Sequence, residues 1–376
     1  MTKEHITRGR TAENLKAAAR RFAPAGITTI SEFGTGNVND TFLVSTGSGR
    51  ESRFILQRVN RHVFSRPELI TENLRTLMAH LSMRAGQNHV SGHRWEFPRL
   101  LLTDDSNDHW IDPDGFFWRA LSFIEDSQSF DTVLDSAHAV EIGLAVGLFH
   151  QLVSDLPAYR LKDTLEGFHI TPLYLLRYER AFAIHGAPSS PDAAFCVDFI
   201  HQRKNFAPVL ENAKAEGILP LRIIHGDPKV SNVMMDTRTG LAVSLVDLDT
   251  VKPGLVHYDI GDCLRSCCNP LGEDPDSPDL VRFEPELCRA LLQGYFSVAK
   301  TFLTQSDCDF IYDSIRLITY ELGVRFFTDY LEGDVYFKVK DRKHNLRRAL
   351  AQFRLAASIE SQEKTLRAII HEGAKG

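Results

Sequence analysis

The segment IIHGDPKVSNVMMDTRTGLAVSLVDLDTVKPGLVHYDIGD, residues 223–262, constrains this chain more than any other. Two β-branched residues lead into His225-Gly226-Asp227, and Asn232 follows Asp227 at the spacing D-x-x-x-x-N, with Lys229 between them. An apolar run, Val233-Met234-Met235, meets a turn-type stretch from Asp236 to Gly240. A second run, Leu241 to Leu248, returns with Asp247 and Asp249 near its end. Two apolar runs around a glycine-containing turn read as a β-hairpin. Alone, an HGD tripeptide is a polar loop, because Asp and Asn are ordinary turn residues. Followed by an asparagine, a hairpin and a strand ending in aspartate, it takes on a chemical meaning.

Phosphoryl transfer needs these groups. One carboxylate orients the attacking hydroxyl or accepts its proton, and an amide oxygen and a second carboxylate hold Mg²⁺ against a triphosphate. Asp227 fits the first role; Asn232 and Asp247 fit the metal roles. Lys229 lies where an ammonium can neutralise charge on the transferring group. Asp247 and Asp249 alternate around Leu248, so they share a strand face if the strand extends that far, and Asp249 then faces the acceptor.

The blocks HGDPKVSNVMMD and VDLDTVKPGLVHYDIGD resemble the aminoglycoside phosphotransferase/choline kinase superfamily. FGTGNVNDTFLV, LVDLDTVKPG and GVRFFTDYLEGDVYF with the following HNL are similar to the bacterial N-acetylhexosamine 1-kinases, and these blocks span nearly the whole chain. The resemblance implies an α+β, two-lobe protein-kinase-like fold. A small β-rich nucleotide-binding lobe would cover residues 1–125, and a larger, mostly helical catalytic and acceptor-binding lobe residues 126–376, with ATP in the cleft. It implies ATP and Mg²⁺ as cofactors and a hexosamine phosphorylated at its anomeric hydroxyl. Asp259 matches the aspartate that braces the catalytic loop, and Arg325 and Tyr336 would line the sugar pocket. Another sugar, an aminoglycoside or choline would keep the same hairpin and change only the pocket, and a non-catalytic nucleotide-binding module is a further alternative. Neither D-F-G nor A-P-E is present, which argues against a protein kinase.

Upstream, strand-type sequence at Ile27–Ile30 and Thr41–Val44 flanks Gly34-Thr35-Gly36-Asn37. Strand, glycine turn, strand is the layout of a loop whose N–H groups cover phosphates, so Gly34, Gly36 and Asn37 are candidate nucleotide contacts. A plain hairpin turn has the same appearance. The next strand, Arg53–Val59, carries Gln57 where kinases keep a lysine, with Arg58 on the opposite face. Glu72, on the helix that follows, would have been that lysine's partner. The aromatic stretch Phe116–Glu125 reads as the strand leading to the boundary between lobes.

With 376 residues and 43% apolar content, the chain can bury one large core or two modest ones. A net charge of −6 argues against a nucleic-acid partner. No uninterrupted apolar run nears the roughly 18 residues of a membrane span. The first residues lack a secretory core, and the six cysteines lack paired C-x-x-C spacing; a reduced cytoplasmic enzyme is the expectation. Helices are expected over 137–156, 172–183, 191–215, 285–300 and 306–331. Lys252-Pro253-Gly254 is expected as a turn, and 342–367 as a solvated amphipathic helix. His150, inside the first of these helices, is expected to be structural.

Overall fold

A computed structural model describes residues 3–23, 26–34, 38–47, 52–84, 94–186 and 189–375, with the side chains of residues 3–12 outside the description. The chain divides into two compact units, Met1–Ala79 with Glu96–Glu125, and His80–Trp95 with Asp126–Gly376. The first is β-rich and the second mostly helical, the α+β organisation expected from the sequence.

The first unit contains α1 (Lys3–Phe22), β1 (Ile27–Glu32), β2 (Asp40–Thr46), β3 (Arg53–Val59), the start of α2 (Glu68–Arg84), β4 (Leu100–Leu101), β5 (Trp110–Ile111) and β6 (Phe117–Ser122). The strands form an antiparallel sheet in the order β1-β2-β3-β6-β4, with β5 also on β6. Alternation decides its two faces. Phe54 and Leu56 of β3, with Trp118 and Ala120 of β6, bury against Ala18, Ala19 and Phe22 of α1. Arg58 shares that side, 2.6 Å from Asp40 and with its guanidinium 4.7 Å from the Phe116 ring. On the opposite face Thr41, Gln57 and Arg119 stand side by side in register.

The second unit contains β7 (Ser127–Gln128), α3 (Ser136–Val153), α4 (Thr171–His185), α5 (Pro191–Arg203), α6 (Val209–Ala215), β8 (Arg222–Ile224), β9 (Val233–Asp236), β10 (Ala242–Leu245) and β11 (Lys252–Gly254). It continues through α7 (Val256–Cys267), α8 (Pro285–Ala299), α9 (Gln305–Asp309), α10 (Ile311–Glu332), α11 (His344–Ser361) and α12 (Glu363–Lys375). The expected hairpin is β9–β10, and its turn is fixed by Asp236 Oδ1, which accepts the Arg238 and Thr239 N–H groups at 3.0 and 2.9 Å. Around α10 pack α4, α7 and α11, and Tyr178, Phe199, Tyr320, Phe327 and Phe353 form a core shared by α4, α5, α10 and α11.

Three expectations are corrected. Lys252–Gly254 is no turn but a short strand paired with β8, and this pairing ties the far end of the hairpin back to the strand that leads into His225-Gly226-Asp227. The helix expected over 306–331 breaks at Phe310, where the short α9, capped by reciprocal bonds between Thr304 and Asp307, gives way to α10. The charged tail is two helices, and α11 buries Leu346, Ala349, Phe353, Leu355 and Ile359, so it belongs to the core rather than to solvent. Its charges misled because arginine stems cover apolar surface while their heads reach water.

Helix α3 passes the length and hydropathy test for a membrane span, and 72% of it is buried inside the protein. What buries it is α8. A Cβ at Gly143 would overlap the Leu291 carbonyl, and one at Gly294 would overlap the Val140 carbonyl, so the two helices meet backbone to backbone. Gly294→Ala should therefore lower the unfolding free energy by about 1–3 kcal/mol, the scale of overpacking. Gln293→Ala, at the exposed neighbouring position, should leave urea melts unchanged.

Candidate active site

Strand β8 ends at Ile224, and the chain turns sharply through His225-Gly226-Asp227. Gly226 has φ +89, and a Cβ there would lie 2.8 Å from the Cβ and carbonyl oxygen of Thr250, so glycine is required twice over. The turn is held from below by Asp259 in the first turn of α7, fully buried. Its carboxylate accepts the His225 N–H at 2.6 Å and the Gly226 N–H at 2.8 Å. His150 of α3 donates to the same carboxylate at 2.8 Å and lies 3.0 Å from the Tyr295 hydroxyl. Asp259 thus braces the loop and His150 is structural, as the sequence suggested. Burial pushes the Asp259 carboxyl upward, but these hydrogen bonds outweigh it and hold the group below the usual carboxylate range.

His225 Nε2 faces the Val246 carbonyl at 3.0 Å, so it must donate there, and Nδ1 is left to accept the Asp227 N–H at 3.2 Å. A neutral ring satisfies both contacts, and burial holds this imidazole below its ordinary value. Asp227 is thereby placed at the loop's outer end. Lys229 Nζ lies 2.8 Å from its Oδ2. Asn232 donates from its amide nitrogen to the Asp227 carbonyl at 2.7 Å and to Oδ2 at 3.2 Å. Burial disfavours the Lys229 charge, yet Asp227, Glu273 and Asp247 keep its pKa raised. Beneath them Arg265 bridges Asp262 at 2.6 Å and Glu273 at 2.8 Å.

Asp247 and Asp249 do not share a strand face. β10 stops at Leu245; Asp247 adopts a left-handed conformation with φ 63, and Leu248–Thr250 form a single 3₁₀ turn. The two aspartates therefore part: Asp247 is exposed, whereas Asp249 is only 3% exposed and its carbonyl accepts from Thr164 at 2.7 Å. The alternation argument failed because it assumed extended backbone where a left-handed residue ends the strand. The donor chemistry of Asn232 and Asp247 suits the metal roles. With its nitrogen committed to Asp227, Asn232 keeps Oδ1 as an acceptor, and Asp247 supplies an exposed carboxylate. Both are hard oxygen donors suited to Mg²⁺. Among the described residues no three His, Cys, Asp or Glu side chains are gathered to hold a metal, so these two would be a partial shell completed by a ligand's own oxygens.

On α10, Glu321, Arg325 and Asp329 recur at every fourth residue and so lie along one helix face. Glu321 is buried; its carboxylate meets His169 Nδ1 at 3.0 Å and accepts from Thr171 at 2.7 Å. His169 Nε2 reaches the Gly226 carbonyl at 2.7 Å. Both ring nitrogens face oxygen acceptors, so both must carry hydrogen. Burial opposes that charge, but Glu321 raises the His169 pKa above its ordinary value. Arg325 has its guanidinium 5.1 Å from the rings of Phe168 and Tyr174 and 5.7 Å from Phe337. Burial again opposes the charge, which the Glu321 and Asp227 carboxylates uphold. Asp329 accepts the N–H groups of Val335, Tyr336 and Phe337 at 2.8–3.0 Å, which fixes the backbone from which Tyr336 projects. His169, Glu321 and Asp329 escaped the sequence reading. Glu321 and Asp329 did carry a signal, carboxylates at helical spacing on α10 among buried positions, which cannot be left without partners; His169 carried none.

The other named residues lie in the first unit. Gly34 is exposed with φ +75, the left-handed conformation expected of a glycine turn; Gly36 and Asn37 fall outside the described residues. Gln57 bonds Thr41 and Arg119. Glu72 is exposed on α2.

Residues 29–300 match the sequence model of the APH phosphotransferase enzyme family. Three solved structures share the fold over nearly the whole chain. An aminoglycoside phosphotransferase from Alicyclobacillus acidocaldarius is 15% identical, with a TM-score of 0.63 over 95% of this chain and 96% of that one. A microcompartment-associated aminopropanol kinase is 14% identical, with a TM-score of 0.63 over 93% and 98%. A spectinomycin phosphotransferase in complex with ADP and spectinomycin is 13% identical, with a TM-score of 0.54 over 95% and 98%.

The buried groups around the loop have opposite pH signatures. His225 and Asp259, both with lowered pKa, stabilise the fold above their ordinary values of 6.5 and 3.8 and lose that contribution as pH falls. His169, with a raised pKa, contributes fully below 6.5 and loses its contribution as pH rises through the folded value. Urea stability should fall on both sides of neutrality, and Glu321→Gln should remove part of the alkaline limb. Asp259→Asn should cost about 1–3 kcal/mol at neutral pH by leaving a buried N–H without an acceptor, and should flatten the decline below pH 4.

Proposed function

This chain belongs to the APH phosphotransferase enzyme family, and within that family we propose that it transfers the γ-phosphoryl group of ATP to the anomeric hydroxyl of a hexosamine. N-acetylglucosamine or N-acetylgalactosamine would be the acceptor and a sugar 1-phosphate the product. ADP in the related spectinomycin enzyme and GDP in an aminoglycoside 2'-phosphotransferase support a purine nucleotide as donor, and ATP is the one proposed here.

The observation that carries the choice of acceptor is Arg325. Its guanidinium fills the space between Phe168, Tyr174 and Phe337. Aromatic rings of this kind would cage a quaternary ammonium, but here the chain's own cation has taken them. Choline, or a polycationic aminoglycoside, would meet like charge beside the catalytic loop. A neutral sugar gains instead, since a planar guanidinium with five donors suits ring hydroxyls and an acetamido oxygen. Tyr336, fixed by Asp329, would add a further polar edge to the same pocket. Asp249, with its backbone held by Thr164, would present its carboxylate to the sugar hydroxyls.

In the reaction Asp227 accepts a hydrogen bond from the acceptor hydroxyl and aims it at the phosphorus. The anomeric hydroxyl is more acidic than an ordinary alcohol, so its proton passes to Asp227 late. Lys229 meets the charge that spreads over the transferring group. Asn232 and Asp247 would hold Mg²⁺, which supplies charge neutralisation on the phosphates when bound. Gly34 and Gln57, with Gly36 and Asn37, would contact the nucleotide phosphates.

ADP release should appear with N-acetylglucosamine or N-acetylgalactosamine and be absent with choline. A methyl glycoside of the same sugar should not react, and phosphorus NMR should show phosphate on the anomeric carbon; coupling to a carbon-6 methylene would defeat the assignment. Asn232→Ala and Asp247→Ala should both raise the Mg²⁺ concentration needed for half-maximal rate, Asp247→Ala more so because it also removes a charge.

A further inference from the structure

We propose that Arg119 is a positioning residue for the nucleotide: it locks the Gln57 amide so that its NH₂ group serves as the phosphate donor on β3. The inference rests on the ATP-dependent reading above and deepens it.

Thr41, Gln57 and Arg119 are directly opposite one another across β2, β3 and β6, on the face turned away from α1. Arg119 Nε and Nη2 both donate to Gln57 Oε1, at 3.1 and 2.7 Å. Gln57 Nε2 lies 3.2 Å from Thr41 Oγ1. Amide oxygen and nitrogen look alike in outline, but a guanidinium has only donors, so the atom it grips must be the oxygen. The NH₂ is thereby directed away from Arg119. One of its hydrogens serves Thr41 and the second is left as a donor.

In the ATP reading the glycine turn after β1 meets the phosphates, and the row lies at its foot. Thr41 is the second residue of β2 after the glycine turn, and the Phe33 N–H donates to its carbonyl at 2.9 Å, closing that turn. The row therefore stands at the end of the sheet from which the turn leaves. Arg119 is 1% exposed, so its charge is poorly screened and polarises the amide it holds. The same geometry accounts for the missing lysine. An ammonium at position 57 would abut the buried guanidinium, like charge against like, whereas glutamine relays the positive character without adding a second charge.

Gln57→Glu separates a nucleotide role from a purely structural one. The carboxylate keeps both bonds from Arg119, so thermal stability should be maintained, but it offers no donor and turns negative charge toward the phosphates. ADP binding measured by calorimetry should weaken at least ~10-fold, as expected of a like-charge contact, while adenosine binding stays unchanged. Arg119→Lys is the second variant. A single ammonium cannot grip the oxygen twice, so the amide loses its fixed orientation, and the KM for ATP should rise several-fold with kcat little altered. An ADP loss below about 3-fold in Gln57→Glu, too small for a direct charge contact, would overturn the proposal. So would ADP and adenosine affinities falling in parallel in either variant. Wild-type protein that binds no ADP would overturn the ATP reading itself, and this inference with it.

Discussion

The carboxylate of Asp259 accepts the backbone N–H groups of His225 and Gly226 and the Nε2–H of His150. Around this buried anion the second unit is arranged. It joins α3, α7 and the catalytic loop, and it satisfies two main-chain donors that a sharp turn would otherwise bury unpaired. Once the turn is pinned, His225 is oriented between Val246 and the Asp227 N–H, and Asp227 has one position to occupy. His169 approaches from the other side, donating to the Gly226 carbonyl while its charge is paired with Glu321. Three successive peptide groups of the turn are therefore held by ionised side chains, an arrangement stiffer than neutral partners would give.

Charge also organises the acceptor side. Buried cations and anions alternate from Glu321 through Arg325 to Asp329 on α10, each answered by a neighbour: His169, the aromatic rings, and the N–H groups of residues 335–337. Arg325 lies among the groups that feel Asp227, so in the proposed reading a cation stands on the acceptor side of that carboxylate. That is the physical reason to favour a neutral acceptor over a cationic one.

The loop at Asp227 was legible in the sequence as a close-set polar group, and Asp227, Lys229 and Asn232 do come within hydrogen-bonding distance; the reactive role read into them belongs to the proposal. The hairpin was legible from its two apolar runs and Asp236 turn. The strand's end was not, because nothing in the spacing of Asp247 and Asp249 signals a left-handed residue between a strand and a 3₁₀ turn. The break at Phe310 and the burial of α11 were hidden for a related reason, since helix periodicity marks a face but not what covers it. His169 and Arg119 belong to no local pattern. Their partners, Glu321 and Gln57, are distant in sequence, and only the fold brings them together.

The account stands or falls on Asp227 as the group that orients the acceptor. The direct test is the turnover of Asp227→Asn with ATP and N-acetylhexosamine, measured beside its ADP affinity. Asparagine preserves the size of the side chain and can still sit beside Lys229 and Asn232, but it cannot take a proton. The account predicts turnover reduced at least ~10²-fold, the scale of general acid–base catalysis, with ADP binding intact. Turnover close to wild type would contradict it.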